Sequence, residues 1–184
     1  MEFILLLVMG GIVSTSIQTP KYIPYVVELD KLGTVVSSRP ANSQFQVNEQ
    51  FLKATVADFV TNLRLVTADI ALQRDAIHRV YSHLNVNDPA RKICDEWYSV
   101  TPFERARESL VSIEIRSVLR QSDKTFQVEW VETVRTHTGE KVSASTMRAL
   151  VNVYQGNYDN ATDKSMRLNP LSIFVKDLSW TKLS

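Results

Sequence analysis

The 184 residues carry 21 Lys and Arg against 20 Asp and Glu, and a net charge of +1 creates no broad field to attract phosphates or acidic lipids. Cys94 is the single cysteine, which excludes an intrachain disulfide and a thiol-rich metal site. The length suits one domain with a genuine core and is short for two.

An uncharged apolar run from Phe3 to Val13 opens the chain and fades through Ser14, Thr15 and Ser16. It is too apolar to lie in water, so either it sits in a bilayer or it is removed as a secretion signal, and both fates export the rest. A full span needs roughly 20 apolar residues and this run is shorter, while a signal peptide wants a positive front where only Met1 and Glu2 stand. Both readings stay open on the residues alone. Pro20 and Pro24 then bracket a stiff extended spacer. Alternation through Tyr25, Val27 and Leu29, a turn at Lys31-Leu32-Gly33, and Thr34 to Val36 predict a short hairpin; Ser37 to Gln46 has loop composition.

Asn48 is a good cap for a helix whose stripe is Leu52, Val56, Phe59, Leu63 and Val66, with Gln50, Lys53, Thr61 and Arg64 on the wetted side. Asp69 caps a second helix with Ile70, Ile77, Val80, Tyr81 and Leu84 on its inner face. Asp88-Pro89 starts a third, burying Ala90, Ile93, Cys94 and Trp97, and the capping box Thr101-Pro102-x-Glu104 starts a short fourth. Beyond Ser109 the apolar period changes from about 3.6 to 2. Val111, Ile113 and Ile115 form one strand face; Phe126, Val128 and Trp130 a second; Met147, Ala149, Val151 and Val153 a third. Turns fall at Gln121 to Lys124 and His137 to Glu140, and a polar loop from Gln155 to Arg167 precedes a last strand, Leu171 to Lys182. Helices followed by hairpin-connected strands predict an α+β domain with helices on one face of a curved antiparallel sheet.

Candidate chemistry is sparse. His78, His83 and His137 are the only imidazoles, and the offset of five between the first two is wrong for a shared metal, so no metal ligand is expected. Cys94 lies on an inward stripe, and no glycine-rich phosphate loop is present, so neither a nucleophile nor a cofactor is signalled. Glu114, Glu129 and Glu132 are the carboxylates that could meet in a sheet concavity, although alternation with apolar neighbours marks a wet strand face. Trp97, Trp130 and Tyr98 are expected in core or interface; Trp180, near the chain end on an edge strand, is expected to be the more exposed and to be covered by a partner. Binding a single nucleic-acid strand would need a basic stripe with interleaved aromatics, which the chain lacks, so no direct nucleic-acid binding is expected.

Two segments, PKYIPYVVELD (Pro20 to Asp30) and NPLSIFVKDLSW (Asn169 to Trp180), resemble TrbF-type conjugal transfer proteins, relatives of the eighth VirB component of type IV secretion systems. The likeness holds in element order over essentially the whole chain. It implies a single-pass protein of the bacterial inner membrane: a transmembrane segment at 1–18, an extended linker and short hairpin at 19–46, and a periplasmic NTF2-like domain at 47–184, a cone of helices on a curved sheet. It also implies a scaffold of the secretion channel that self-associates and touches other subunits, without enzymatic turnover, cofactor or small-molecule substrate. Asn169, Pro170 and Leu171 match the family's N-P-x-G loop before the final strand, a segment linked with self-assembly and partner contacts. Ser172 stands where the family has glycine, so a positive φ there would strain it. The family's cytoplasmic tail has no counterpart before Glu2, a departure that points to a start internal to the natural protein. The resemblance favours anchor over signal. The alternative is a secreted NTF2-like enzyme or small-molecule binder, which needs a hollow interior instead of one filled by Phe126, Val128, Trp130 and Val151.

Overall fold

The computed structural model describes residues 25–29, 35–40, 47–156 and 163–183. The expected membrane segment at 1–18 lies outside them. Among the described residues no helix is long and apolar enough to cross a membrane. The hairpin is formed by β1 (Tyr25–Leu29) and β2 (Val35–Pro40), paired antiparallel as a separate two-stranded sheet. Its second strand runs through Ser37 to Pro40, where composition had predicted loop, because Tyr25 to Glu28 pair with those residues and a proline is tolerated at a strand end.

Four helices follow. Asn48 accepts the Gln50 amide at 3.1 Å and opens α1 (Glu49–Arg64), which buries Val56, Phe59, Val60 and Leu63. Arg64, expected on the wetted side, is only 6% exposed. It sits four residues after Val60 and one after Leu63, inside the buried arc, and its charge is met by Glu132. Asp69 caps α2 (Ile70–Ser82) through Ala71 and Leu72. The expected face holds at Val80, Tyr81 and Leu84, but at the start of the helix Ile70 is 61% exposed, and Gln73 and Ala76 take the inward positions. Gln73 is drawn in because its amide accepts from the Thr67 N–H and donates to the Leu65 carbonyl, satisfying the backbone of the α1–α2 connection. α3 (Pro89–Trp97) buries Ala90 and Cys94 as expected, and α4 (Pro102–Arg105) carries the complete capping box of Thr101 and Glu104.

The remaining strands, β3 (Leu110–Arg120), β4 (Thr125–Arg135), β5 (Lys141–Gln155) and β6 (Ile173–Lys182), form one antiparallel sheet in sequential order. A short helix, α5 (Asp163–Leu168), occupies part of the predicted polar loop and packs against α2. The inner face of the sheet is built by Phe126, Val128 and Trp130 with Met147, Ala149, Val151 and Val153, all buried, and α1 lies across β3 and β4 above them. α3 flanks β6.

Both edge strands carry a bulge, and in both the inward phase changes there. In β3, Ile115 pairs with Trp130 but Ser117 with Glu129, so Ile113 and Ile115 face the core before the bulge and Val118 after it. In β6, Val175 pairs with Val153 but Asp177 with Asn152; Ile173 and Val175 are inward before it, Leu178 and Trp180 after it. An extra residue on one strand bends that strand and increases local twist, which is how an open four-stranded sheet wraps its helices. The concave side is thus filled by side chains, including the four residues whose packing decides against a hollow, and the small-molecule reading lacks the interior it requires.

Candidate functional site

Asn169 and its neighbours sit where β6 begins. Asn169 is 3% exposed, and its side chain reaches inward instead of outward. Its amide nitrogen donates to the Ser82 carbonyl at 3.0 Å and to the Ile173 carbonyl at 2.9 Å, while its oxygen accepts the Ile173 amide at 2.9 Å. One side chain therefore ties the last turn of α2 to the first residue of β6. Ser172 has φ +51°, the left-handed region the glycine of the family pattern would occupy freely. Pro170 is exposed and Leu171 half-buried, so of the predicted trio only these two present surface.

Beneath the loop lies a cavity of about 140 Å³, lined by Asp58, Phe59, Arg79, His83, Pro170 and Leu171 among others. The His83 ring is not a surface group. Its Nδ1 lies 2.7 Å from the Ile173 carbonyl, to which it donates when protonated at that nitrogen, and its edge meets Phe59 at 6.3 Å between centroids. Burial lowers its pKa from the ordinary histidine value, outweighing that bond and the charge of Asp58. The His83 carbonyl in turn accepts the Val175 amide at 2.9 Å, so part of the outer edge of β6 is already covered.

Trp180 lies at the other end of β6, roughly 20 Å away at about 3.3 Å per residue, so it does not join the Asn169 loop in one site. It is half-buried, which corrects the expectation of exposure, and its ring stands edge-on to Trp97 at 5.5 Å. The α3 helix carries Trp97 to this point, and the bulge in β6 turns Trp180 toward it. Arg64 completes the group: its guanidinium lies 4.0 Å over the Trp97 ring and 5.4 Å from that of Trp180, and its Nε and Nη2 donate to both oxygens of Glu132 at 2.9 and 3.0 Å. Arg105 lies 4.5 Å from the same Trp97 ring. Burial and the charge of Arg64 lower the pKa of Arg105. Sequence reading missed this cluster. The available signal was an arginine inside the buried arc of α1, which the choice of wetted face had passed over.

The remaining candidates are dispersed. Each glutamate of the possible catalytic set has its own arginine: Glu114 with Arg116, Glu129 with Arg148 and Glu132 with Arg64. Cys94 is fully buried, and burial pushes its thiol up to about 12, away from thiolate chemistry. His78 contacts Lys164 on the surface, and His137 lies near the Arg107 carbonyl. Among the described residues no three His, Cys, Asp or Glu side chains are grouped to hold a metal ion.

A family model described as VirB8 protein matches residues 1–182. The chain belongs to the VirB8 family. The conjugal transfer protein TrbF of Rhizobium radiobacter is 34% identical over 163 residues, 88% of this chain and 73% of the relative. Among solved structures, the soluble domain of TrwG of the type IV secretion machinery of Bartonella grahamii covers 76% of this chain and is itself covered for 97%, with a TM-score of 0.63 and 12% identity. The Agrobacterium tumefaciens VirB8 protein gives a TM-score of 0.63 at 14% identity, with 74% of this chain and 93% of that one covered. These two likenesses establish the α+β fold. Family membership makes this a VirB8-like component of type IV secretion and conjugal transfer, and that family is a structural component, not an enzyme family.

Proposed function

We propose that this VirB8-family chain is a membrane-anchored scaffold subunit of a conjugative type IV secretion channel, working by self-association and by contact with other channel subunits. In this reading 1–18 is the single membrane helix of a bacterial inner-membrane protein, and 47–184 is the periplasmic NTF2-like cone. The carrying observation is the family match, which includes the apolar leader as well as the folded body. Support comes from the packed interior and from glutamates that are each neutralised by an arginine, an arrangement that stabilises a body and leaves function to its surfaces. Pro170, left exposed by the inward anchoring of Asn169, is the part of the N-P loop offered to a second copy, with Leu171 half-buried against the core beside it. Trp180 contributes by shaping the opposite end.

The test is membrane fractionation combined with site-specific photocrosslinking. Because Asn169 is buried, the probe belongs at Pro170. The full chain should resist alkaline carbonate extraction, and the Pro170 probe should join copies or neighbouring subunits. A carbonate-soluble chain with no Pro170 adduct, monomeric throughout an ultracentrifugation series, would overturn the reading.

A further inference from the structure

The cavity under the N-P loop has walls of two kinds. Phe59 and Ile173 are buried and floor it, while Asp58, Arg79 and Pro170 are exposed and mark its mouth. Its volume of about 140 Å³ is close to the size that holds one benzene ring, or about six heavy atoms. Acceptors on three of the lining residues are unused among the described residues. The Asp58 carboxylate makes no hydrogen bond or ion pair there. Asn62 donates its side-chain N–H to the Asp58 backbone carbonyl at 2.7 Å, which leaves its side-chain oxygen without a donor. His83, donating through Nδ1 to the Ile173 carbonyl, keeps Nε2 as an acceptor. Burial lowers the pKa of that ring and so favours its neutral form. Arg79, the cation of the lining, is answered by Asp75 at 3.4 Å, so the charge left over is that of Asp58.

We propose that the cavity binds a primary alkylammonium group, as carried by a lysine side chain or a free amine, with the ammonium at Asp58, Asn62 and His83 and the alkyl stem over Phe59 and Ile173. An ammonium is a compact charge with three donors, which suits acceptors supplied by separate residues of α1 and α2. The fork of an arginine asks for one carboxylate met side-on, the geometry Arg64 finds at Glu132 and this cavity does not offer. A carboxylate or phosphate would meet Asp58, a charge of its own sign. A metal ion fits poorly, because among the described residues no three His, Cys, Asp or Glu side chains are grouped to hold one. The inference stands apart from the scaffold reading: a chain that never associates would still take up an amine, so the two can fail separately.

The experiment uses the full chain in detergent micelles, carbon-13 labelled at isoleucine methyl groups, with the Ile173 methyl signal as readout. Butylammonium chloride, butanol and tetramethylammonium chloride are titrated at constant ionic strength. Butylammonium should shift the Ile173 signal saturably and bind about tenfold or more tightly than butanol, which lacks the charge, or tetramethylammonium, which lacks the donors. Asp58→Asn, at an exposed residue with no bond to lose, should unfold at the wild-type temperature and weaken butylammonium by about tenfold. Arg79→Gln, which removes the like charge at the mouth, should tighten it. A capped Ala-Lys-Ala peptide identifies the source: binding tighter than butylammonium assigns the site to a protein's lysine, and the reverse order assigns it to free amines, both upholding the ammonium site. Butanol binding as tightly as butylammonium, an affinity unchanged by Asp58→Asn, or no saturable shift at Ile173 would sink the proposal.

Discussion

Ser172 holds a φ of +51°, where a Cβ crowds the following carbonyl at a cost of about 1–2 kcal/mol, partly offset in any glycine variant by the freer unfolded chain. Ser172→Gly should raise stability by about 0.5–1 kcal/mol, read as a higher urea midpoint with unchanged slope. A lower midpoint would show that the serine side chain contributes more than its backbone strain removes. Asn169 is the opposite case. Asn169→Ala strips two bonds from the buried backbone of Ile173 and one from the half-buried Ser82 carbonyl, and should destabilise by about 2–3 kcal/mol. His83 adds a pH dependence. Its folded pKa is lowered, so the unfolded chain binds the proton more readily, and stability is lost as pH falls from about 6.5 toward the folded value. Denaturation at pH 7.5 and pH 5 should show that loss, and His83→Gln should flatten it. Glu49, Asp95 and Glu104 have lowered pKa values, so their contribution is lost in a more acidic window.

At the scale of elements, the end of α1, the end of α3 and the end of β6 are joined by Arg64, Trp97 and Trp180 with Glu132 of β4. Removing one member of a buried ion pair leaves the other uncompensated. Glu132→Gln should therefore destabilise by about 3 kcal/mol or more, and the loss should exceed that of Glu114→Gln, whose pair with Arg116 is solvent-exposed. Most element boundaries were legible beforehand. Asn48, Asp69 and Thr101 with Glu104 mark helix starts by local hydrogen bonding, and the period-2 runs of β4 and β5 point inward as expected because those strands are central and pair without a shift from Phe126 to Trp130. The edge strands were harder to read, since a bulge inserts one residue and reverses the inward phase without any local signature. In the first turns of α2 the inward residue is Gln73 and not Ile70, because Gln73 is polar and only its two backbone partners make its burial favourable.

At the scale of the whole molecule, the proposed anchor at 1–18 and the folded body act on one equilibrium. Tethering weakly associating bodies raises their effective concentration, so a chain starting after Gln18 should need about 10²–10⁴ times more protein to associate than the anchored one. Sedimentation of the shortened chain, set beside crosslinking of the anchored chain in membranes, measures that ratio; equal association by both forms would remove the anchor from the mechanism.

What the amino-acid sequence determined alone were properties carried by neighbours in the chain: the caps, the turns and the change of period after Ser109. These depend on contacts within a few residues. The tertiary structure decided the rest. Arg64 is buried because Glu132, 68 residues on, meets it, and Asn169 faces inward because Ser82, 87 residues back, offers a carbonyl. A polar side chain goes inside only when a partner waits there, and a partner so distant along the chain exists only once the fold has closed.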